Sequence, residues 1–211
     1  PGCGLPSAAL CAACRAVLAD ADLPAVPGQG LAVVAASAYA GMWRATLVAL
    51  KERHCWSLAA PLGQALALAT AAALREAGVR PEGIRLVPMP STPAAVRERG
   101  QDTTRLLARN AARALSAAGL AARVEPCLSH ARAVFDQSGL RVGDRDANLA
   151  GALVARPGPG GGVRVVVDDL TTTGASLREA ARALAAAGAP PAAAAIVAAA
   201  TRRDGRVRVH T

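Results

Sequence analysis

Val165-Val166-Val167-Asp168-Asp169-Leu170-Thr171-Thr172-Thr173-Gly174-Ala175-Ser176 is the stretch whose reading decides the fold. β-Branched apolar residues run into two adjacent acids, and a Thr-rich turn with one Gly follows. Leu177, Ala180, Ala181, Leu184 and Gly188 then recur at helical spacing and form one apolar stripe. The order predicts a buried strand over 163–167, an acidic tip, a tight turn, and a short helix stopping at Gly188.

The chemistry follows from that order. Ligands of parallel α/β sheets bind beyond the carboxyl ends of strands. Backbone N–H groups of a turn entering a helix make a concave anion site, and Thr and Ser hydroxyls add donors. Thr171, Thr172, Thr173, Gly174, Ala175 and Ser176 are therefore candidates to hold a phosphate. Asp168 and Asp169 cannot help with that phosphate and need sugar hydroxyls, a Mg²⁺ ion, or both. A ribose 5-phosphate satisfies the layout. A P-loop fits worse, because it needs Gly-Lys-Ser/Thr and the only lysine, Lys51, follows Leu50. The glycine run over 158–162 precedes the strand, whereas a dinucleotide fingerprint follows one. The plain alternative is a strand and a helix capped by Thr172 or Thr173, with no ligand. An acid pair at a buried strand end, followed by so many donors, argues against it. The pattern resembles the motif with which type I phosphoribosyltransferases bind 5-phosphoribosyl-1-pyrophosphate (PRPP).

At 211 residues the chain suits one domain plus an appendage. Hydrophobic residues make up 53% and aromatics 2%, so alanine carries the core and helices should pack closely. The Ala-rich segments are interrupted by Arg, Glu, Gly or Pro, and no unbroken apolar run reaches the ~18 residues of a membrane span. The net charge of +9 is carried by arginines and Lys51. Such a surface attracts phosphates and nucleic acid. The sequence opens at Pro1 with no Met, which points to residues before it. Cys3, Cys11 and Cys14 cluster near the start; with Cys55 and Cys127 they are an odd set. This pattern favours metal binding in a reducing, cytoplasmic setting over a disulfide scaffold. The pair Cys11-Ala-Ala-Cys14 with Cys3 supplies part of a tetrahedral zinc set. Such a Zn²⁺ would be structural; the alternative is unliganded thiols in a loose end.

Along the chain, residues 20–30 read as a linker and 31–37 as a strand. Helices are expected over 39–53 and over 58–77, the second stopped by Gly78. A strand over 84–87 ends at Pro88-Met89-Pro90, where the chain must leave the sheet. Residues 91–100 carry Arg97 and Arg99, and Asp102 or Thr103 caps a helix over 102–118. Residues 122–128 read as a strand. Residues 129–148 have no clean periodicity and read as a functional loop, such as a lid over a phosphorylated substrate. A short strand over 149–155 and a loop over 156–162 precede the organising strand. Residues 192–200 pose a conflict: alanine favours helix, but Pro190-Pro191 and the alternating order favour a buried strand, which is the reading taken. Residues 202–211 are a basic tail.

Together these residues resemble the ComF family (ComFC-like competence proteins), in which a zinc ribbon precedes a type I phosphoribosyltransferase domain. Leu50-Lys51, Val87-Pro88-Met89-Pro90, Arg97-Glu98-Arg99-Gly100-Gln101-Asp102, Gln137-Ser138-Gly139-Leu140, Arg145 and Asn148 match its pattern in turn. Gln101 and Asp102 stand where the family has Phe and Asn, and Asp102 brings a negative charge near the pyrophosphate position. The resemblance implies an α/β, type I phosphoribosyltransferase fold, a mostly parallel sheet flanked by helices. Residues 1–30 would be a truncated zinc-ribbon-like segment and linker, and 31–211 the phosphoribosyltransferase-like domain. Asp168 and Asp169 would hold the ribose hydroxyls or Mg²⁺-bound water, and Thr171 to Ser176 the 5-phosphate. Met89, Pro90 and Ser91 would face the pyrophosphate, with Arg97, Arg99 and Lys51 neutralising its growing charge. The implied activity is transfer of a phosphoribosyl group from PRPP. The alternative is a DNA-handling accessory of competence and DNA uptake, binding single-stranded DNA without transferase activity. Tyr39, Trp43, Trp56 and Phe135 are few for a base-stacking platform, and the first three sit in apolar contexts.

Overall fold

Runs of small apolar residues place a parallel sheet at the centre of the molecule. The computed structural model describes residues 10–28, 30–131 and 151–200. Helix α1 (Ala12–Ala19) leads to strand β1 (Ala32–Ala38) and helices α2 (Gly41–Glu52) and α3 (Ala59–Glu76). Strand β2 (Ile84–Pro88), helices α4 (Pro93–Arg99) and α5 (Thr103–Ala117) and strand β3 (Ala122–Val124) follow. Short strands β4 (Leu128–His130) and β5 (Leu153–Ala155) precede strand β6 (Val163–Thr171), helix α6 (Ala175–Ala186) and strand β7 (Ala193–Ala199).

The fold is α/β. Five strands lie in the order β1-β7-β6-β2-β3, every neighbouring pair parallel, and helices cover both faces. Strand alternation sorts β6 between two cores. Val165 and Val167 face α2, α3 and α5 through Leu50, Leu66 and Leu107. Val166 faces α6 and the antiparallel pair β4–β5 through Leu177, Leu128 and Leu153. Helix α3 and the turn before it, Trp56–Glu76, are long and apolar enough to cross a membrane by composition, yet 67% of the apolar window is buried inside the fold. Its contact with α5 is close. A Cβ added to Gly63 would lie 2.4 Å from Asn110 Cβ, so only glycine lets these two backbones meet there.

Most expected elements are present, three strands differ in extent, and α1 and α4 are helices that were not expected. The organising strand runs four residues further than 163–167, because β7 continues beside it as far as the Thr171–Ala199 pair. The single strand expected over 122–128 is two strands in different sheets. Pro126 has no N–H for a ladder, and Glu125 is anchored under Arg85 and Arg164, so the chain turns away from the sheet there. Of the strand expected over 149–155, the described residues 151–155 are strand at Leu153–Ala155. The alanine-rich segment at 192–200 is a strand. It lies between β1 and β6, and pairing on both sides overrides alanine's helical preference.

Cys11 and Cys14, two of the three expected zinc ligands, open α1. The Cys14 N–H donates to Cys11 Sγ at 3.5 Å, and Cys14 is buried with Leu10 and Leu18 in the same core as α3. Cys3, the tail at 202–211 and most of the aperiodic segment, including Phe135, Gln137, Arg145 and Asn148, lie outside the described residues. Among the described residues no group of His, Cys, Asp and Glu is placed to share a metal ion.

Candidate active site

Strand order fixes where a ligand belongs. From β2 the chain proceeds through α4 and α5 to β3 at one edge; from β6 it proceeds through α6 to β7 on the other side. β2 and β6 are neighbours, so their carboxyl ends border the crevice at which the winding reverses, where open α/β sheets bind ligands. A cleft of about 270 Å³ opens there. Its walls are Met89 to Thr92 after β2, Ala95 and Arg99 of α4, Thr104 of α5, Asp168 and Asp169 of β6, Ser176 and Glu179 of α6, Lys51 of α2, and His130 beside Ala152 and Leu153.

Alternation along β6 starts its two acids from opposite faces of the strand, yet both side chains reach the same cleft and their carboxyls interact. Asp169, on the α2 side, is buried and ion-paired with Lys51 in the last turn of α2. Asp168, on the α6 side, lines the cleft and accepts the Asp169 N–H at 2.8 Å. Loss of hydration raises the Asp168 carboxyl well above the usual carboxylate range, and the adjacent Asp169 charge adds to the shift. Burial and Asp169 thus favour the neutral form of Asp168, and a cation bound at its oxygens would favour the charged form.

The loop after β2 is braced from both sides. Met89 N–H donates to the Val167 carbonyl at 2.9 Å. Ser91 Oγ donates to Asp102 Oδ1 at 3.0 Å, and the same oxygen caps α5 by accepting the Arg105 N–H at 3.1 Å. The charge of Asp102, expected near the pyrophosphate position, is therefore engaged with a helix N-terminus, where the dipole favours it. Opposite, Glu179 of α6 grips β5. Its Oε1 accepts the Leu153 N–H at 2.9 Å, while Arg182 pairs with Glu179 and donates to the Leu153 carbonyl at 3.0 Å. The Arg182 hydrogen bonds and the Leu153 N–H hold the Glu179 carboxyl below its ordinary range despite burial.

Of the expected site residues, Lys51, Met89, Pro90, Ser91, Arg99, Asp168, Asp169 and Ser176 converge on the cleft. Arg97 is exposed on α4 and does not line it. Thr171 is buried beside Ala199 at the end of β6. Thr172 is exposed. Thr173 Oγ1 accepts the Ala175 N–H at 3.4 Å, and its carbonyl accepts from Arg178. Gly174 takes φ of 74°, a conformation glycine adopts without strain, and so turns the chain into α6. The N–H groups of Ser176 and Leu177 precede the first intrahelical bond, from Arg178 N–H to the Gly174 carbonyl. They and the Ser176 hydroxyl are donors available at this end of the cleft.

His130, Glu179, Thr92 and Thr104 also line the cleft, and sequence reading did not find them. Glu179 had a signal: it stands three residues after Ser176, on the buried face of α6, where an acid needs a reason. His130 falls at the start of the aperiodic segment read as a functional loop, but nothing there singled it out. The chain matches no family model and no curated protein, so the functional reading rests on this geometry.

Proposed function

We propose that this cleft binds PRPP and that the chain is a phosphoribosyltransferase-like protein on a type I phosphoribosyltransferase-like sheet, transferring the phosphoribosyl group to an acceptor. One observation carries the reading: the β6 acids, the Met89–Ser91 loop and the donor-bearing start of α6 meet at the crevice where the sheet winding reverses. Ser176 and the first N–H groups of α6 receive the 5-phosphate. Asp168 receives the ribose hydroxyls. Arg99 and the loop after β2 receive the pyrophosphate, whose charge grows as it leaves.

Charge bookkeeping supports this division. Lys51 neutralises Asp169 and Arg182 neutralises Glu179. Asp168 and Arg99, both lining the cleft, are left to act on a ligand. The donor set also suits Mg²⁺. Asp168 is an oxygen ligand short of a cation, and Mg²⁺ takes one or two carboxylates, substrate phosphates and water. Bound there, Mg²⁺ would neutralise the leaving pyrophosphate. Calorimetric titration with PRPP, with and without Mg²⁺, tests the reading on wild type and Asp168→Asn. Wild-type binding that the substitution weakens at least tenfold is expected. No binding by wild type overturns the reading.

A second reading has one observation in its favour. Arg105, Arg109 and Arg113 recur every four residues and are exposed on α5, about 6 Å apart along the axis. None of the ion pairs among the described residues engages them. Such a stripe suits a phosphodiester backbone, including single-stranded DNA. Against base stacking, Trp43 is buried, and Tyr39 and Trp56 pack on the core. Replacing the three arginines by Gln should abolish salt-dependent single-strand binding and leave PRPP binding intact; retention of DNA binding rejects this second reading.

A further inference from the structure

The carboxylates of the cleft all have other tasks. Asp169 is paired with Lys51. Glu179 holds the Leu153 N–H and Arg182. Asp168 accepts the Asp169 N–H and faces the ribose position in the reading above. His130 differs. It ends β4, lines the cleft, and its Nε2 lies 3.1 Å from the Pro90 carbonyl. A carbonyl only accepts, so Nε2 carries the hydrogen and Nδ1 is left with a lone pair. Among the described residues that Nδ1 has no hydrogen-bond partner, and it is shielded from water, although the residue as a whole is half-buried. A buried acceptor without a donor is a cost that a ligand donor removes.

We infer that His130 is the proton acceptor of this cleft: its Nδ1 takes the proton from the nucleophile that displaces pyrophosphate. Rotation of the ring about its Cβ–Cγ bond, a soft torsion, would turn Nδ1 toward the cleft that the residue lines and loosen the Pro90 contact. The inference rests on the PRPP reading. In the step, an N–H or O–H of the acceptor gives its proton to Nδ1. The electron pair so released forms the bond to ribose C1. The C1–O bond breaks and pyrophosphate leaves with its electrons. The acceptor class is therefore a neutral N–H or O–H nucleophile, since an ionised acceptor needs no base. Lys51 of α2, Arg99 of α4, Asp168 and Asp169 of β6 and Glu179 of α6 are the charged groups sharing the cleft with the ring.

Two measurements test this on the full chain. Imidazole ¹⁵N spectra at neutral pH should show His130 as the Nε2–H tautomer; an Nδ1–H tautomer overturns the assignment. His130→Gln, which can keep an amide N–H on Pro90, and His130→Asn should then be compared with wild type for calorimetric PRPP binding with Mg²⁺. The same proteins should be compared for pyrophosphate release with water and with adenine, guanine, hypoxanthine and uracil as supplied nucleophiles. Binding within about twofold of wild type and release lowered about 100-fold are expected. Equal release in variants and wild type, or wild-type binding with no release from any nucleophile, overturns the His130 role and leaves the PRPP reading standing. No PRPP binding by wild type overturns the reading beneath it.

Discussion

Lys51 of α2 and Asp169 of β6 form an ion pair that ties the end of a helix to the end of a strand across the floor of the cleft. Asp169's side chain is only 7% exposed and Lys51's 25%, so removing the lysine strands a buried charge. Lys51→Met should cost about 1–3 kcal/mol, discounted for the partly exposed lysine. The double variant Lys51→Met/Asp169→Asn should recover more than half of it. Urea unfolding of both variants measures this; no recovery in the double variant rejects the pairing as the cause.

Asp168 pulls the other way. Its carboxyl is held well above the ordinary range, first by burial and then by Asp169. A raised folded value favours the fold at pH below the ordinary carboxylate value, and that advantage is lost as pH rises through the raised value. At pH 7, above the ordinary carboxylate value, this group therefore weakens the fold. Asp168→Asn should stabilise by about 1 kcal/mol at pH 7 while losing PRPP affinity. The gain should shrink as pH falls toward 4, which thermal melts across pH will show.

Asp102 holds Ser91 in the cleft and caps α5 with the same oxygen. Asp102→Ala should cost about 1 kcal/mol through the lost cap and lower PRPP affinity through a loosened Ser91. Asp102→Asn, whose amide oxygen can serve both contacts, should lose little of either. Melting and titration of the two variants together separate a structural cap from a charge effect on the ligand.

Away from the cleft, Glu125 joins Arg85 of β2, Arg164 of β6 and the Gly158 N–H, each at 2.8–2.9 Å. Burial pushes its carboxyl up, but Arg164, Gly158 and Arg85 outweigh this and hold it below 4.5. A depressed value contributes stability present above the ordinary carboxylate range and lost as pH falls through the depressed value. Glu125→Ala leaves two largely buried arginines unpaired and should cost about 3–5 kcal/mol at neutral pH. Denaturant midpoints at pH 7 and pH 3 check it; the penalty should narrow at pH 3.

The parts legible in the sequence are those where one local rule dominated. Val165 to Val167 running into acids gave the central strand and its functional end. Gly78 and Gly188 marked helix stops, each at φ near 70°. What escaped was set by partners distant in sequence. Nothing near Thr171 says that β7 will extend beside it, and nothing near Glu125 says that Arg85 and Arg164 wait across two strands. His130 enters the cleft only because β4 pairs with β5 and sets its ring against Pro90. The Thr171–Ser176 turn read as one continuous phosphate cradle; in three dimensions strand pairing takes Thr171, and Thr173 caps the turn itself.

The strand beside β6 has a last consequence. Apart from Ile196 and Val197, β7 is built of alanines, and Ala195, Ile196 and Ala198 lie directly opposite Val167, Asp168 and Leu170. Alanine has no side-chain torsions to freeze on folding. The bed on which the acid pair rests thus has few rotamers to exchange, and heat or a ligand cannot readily repack it. Positional precision along β6 comes from a neighbouring strand with few side-chain torsions, Ile196 beside Asp168 being one of its two larger residues.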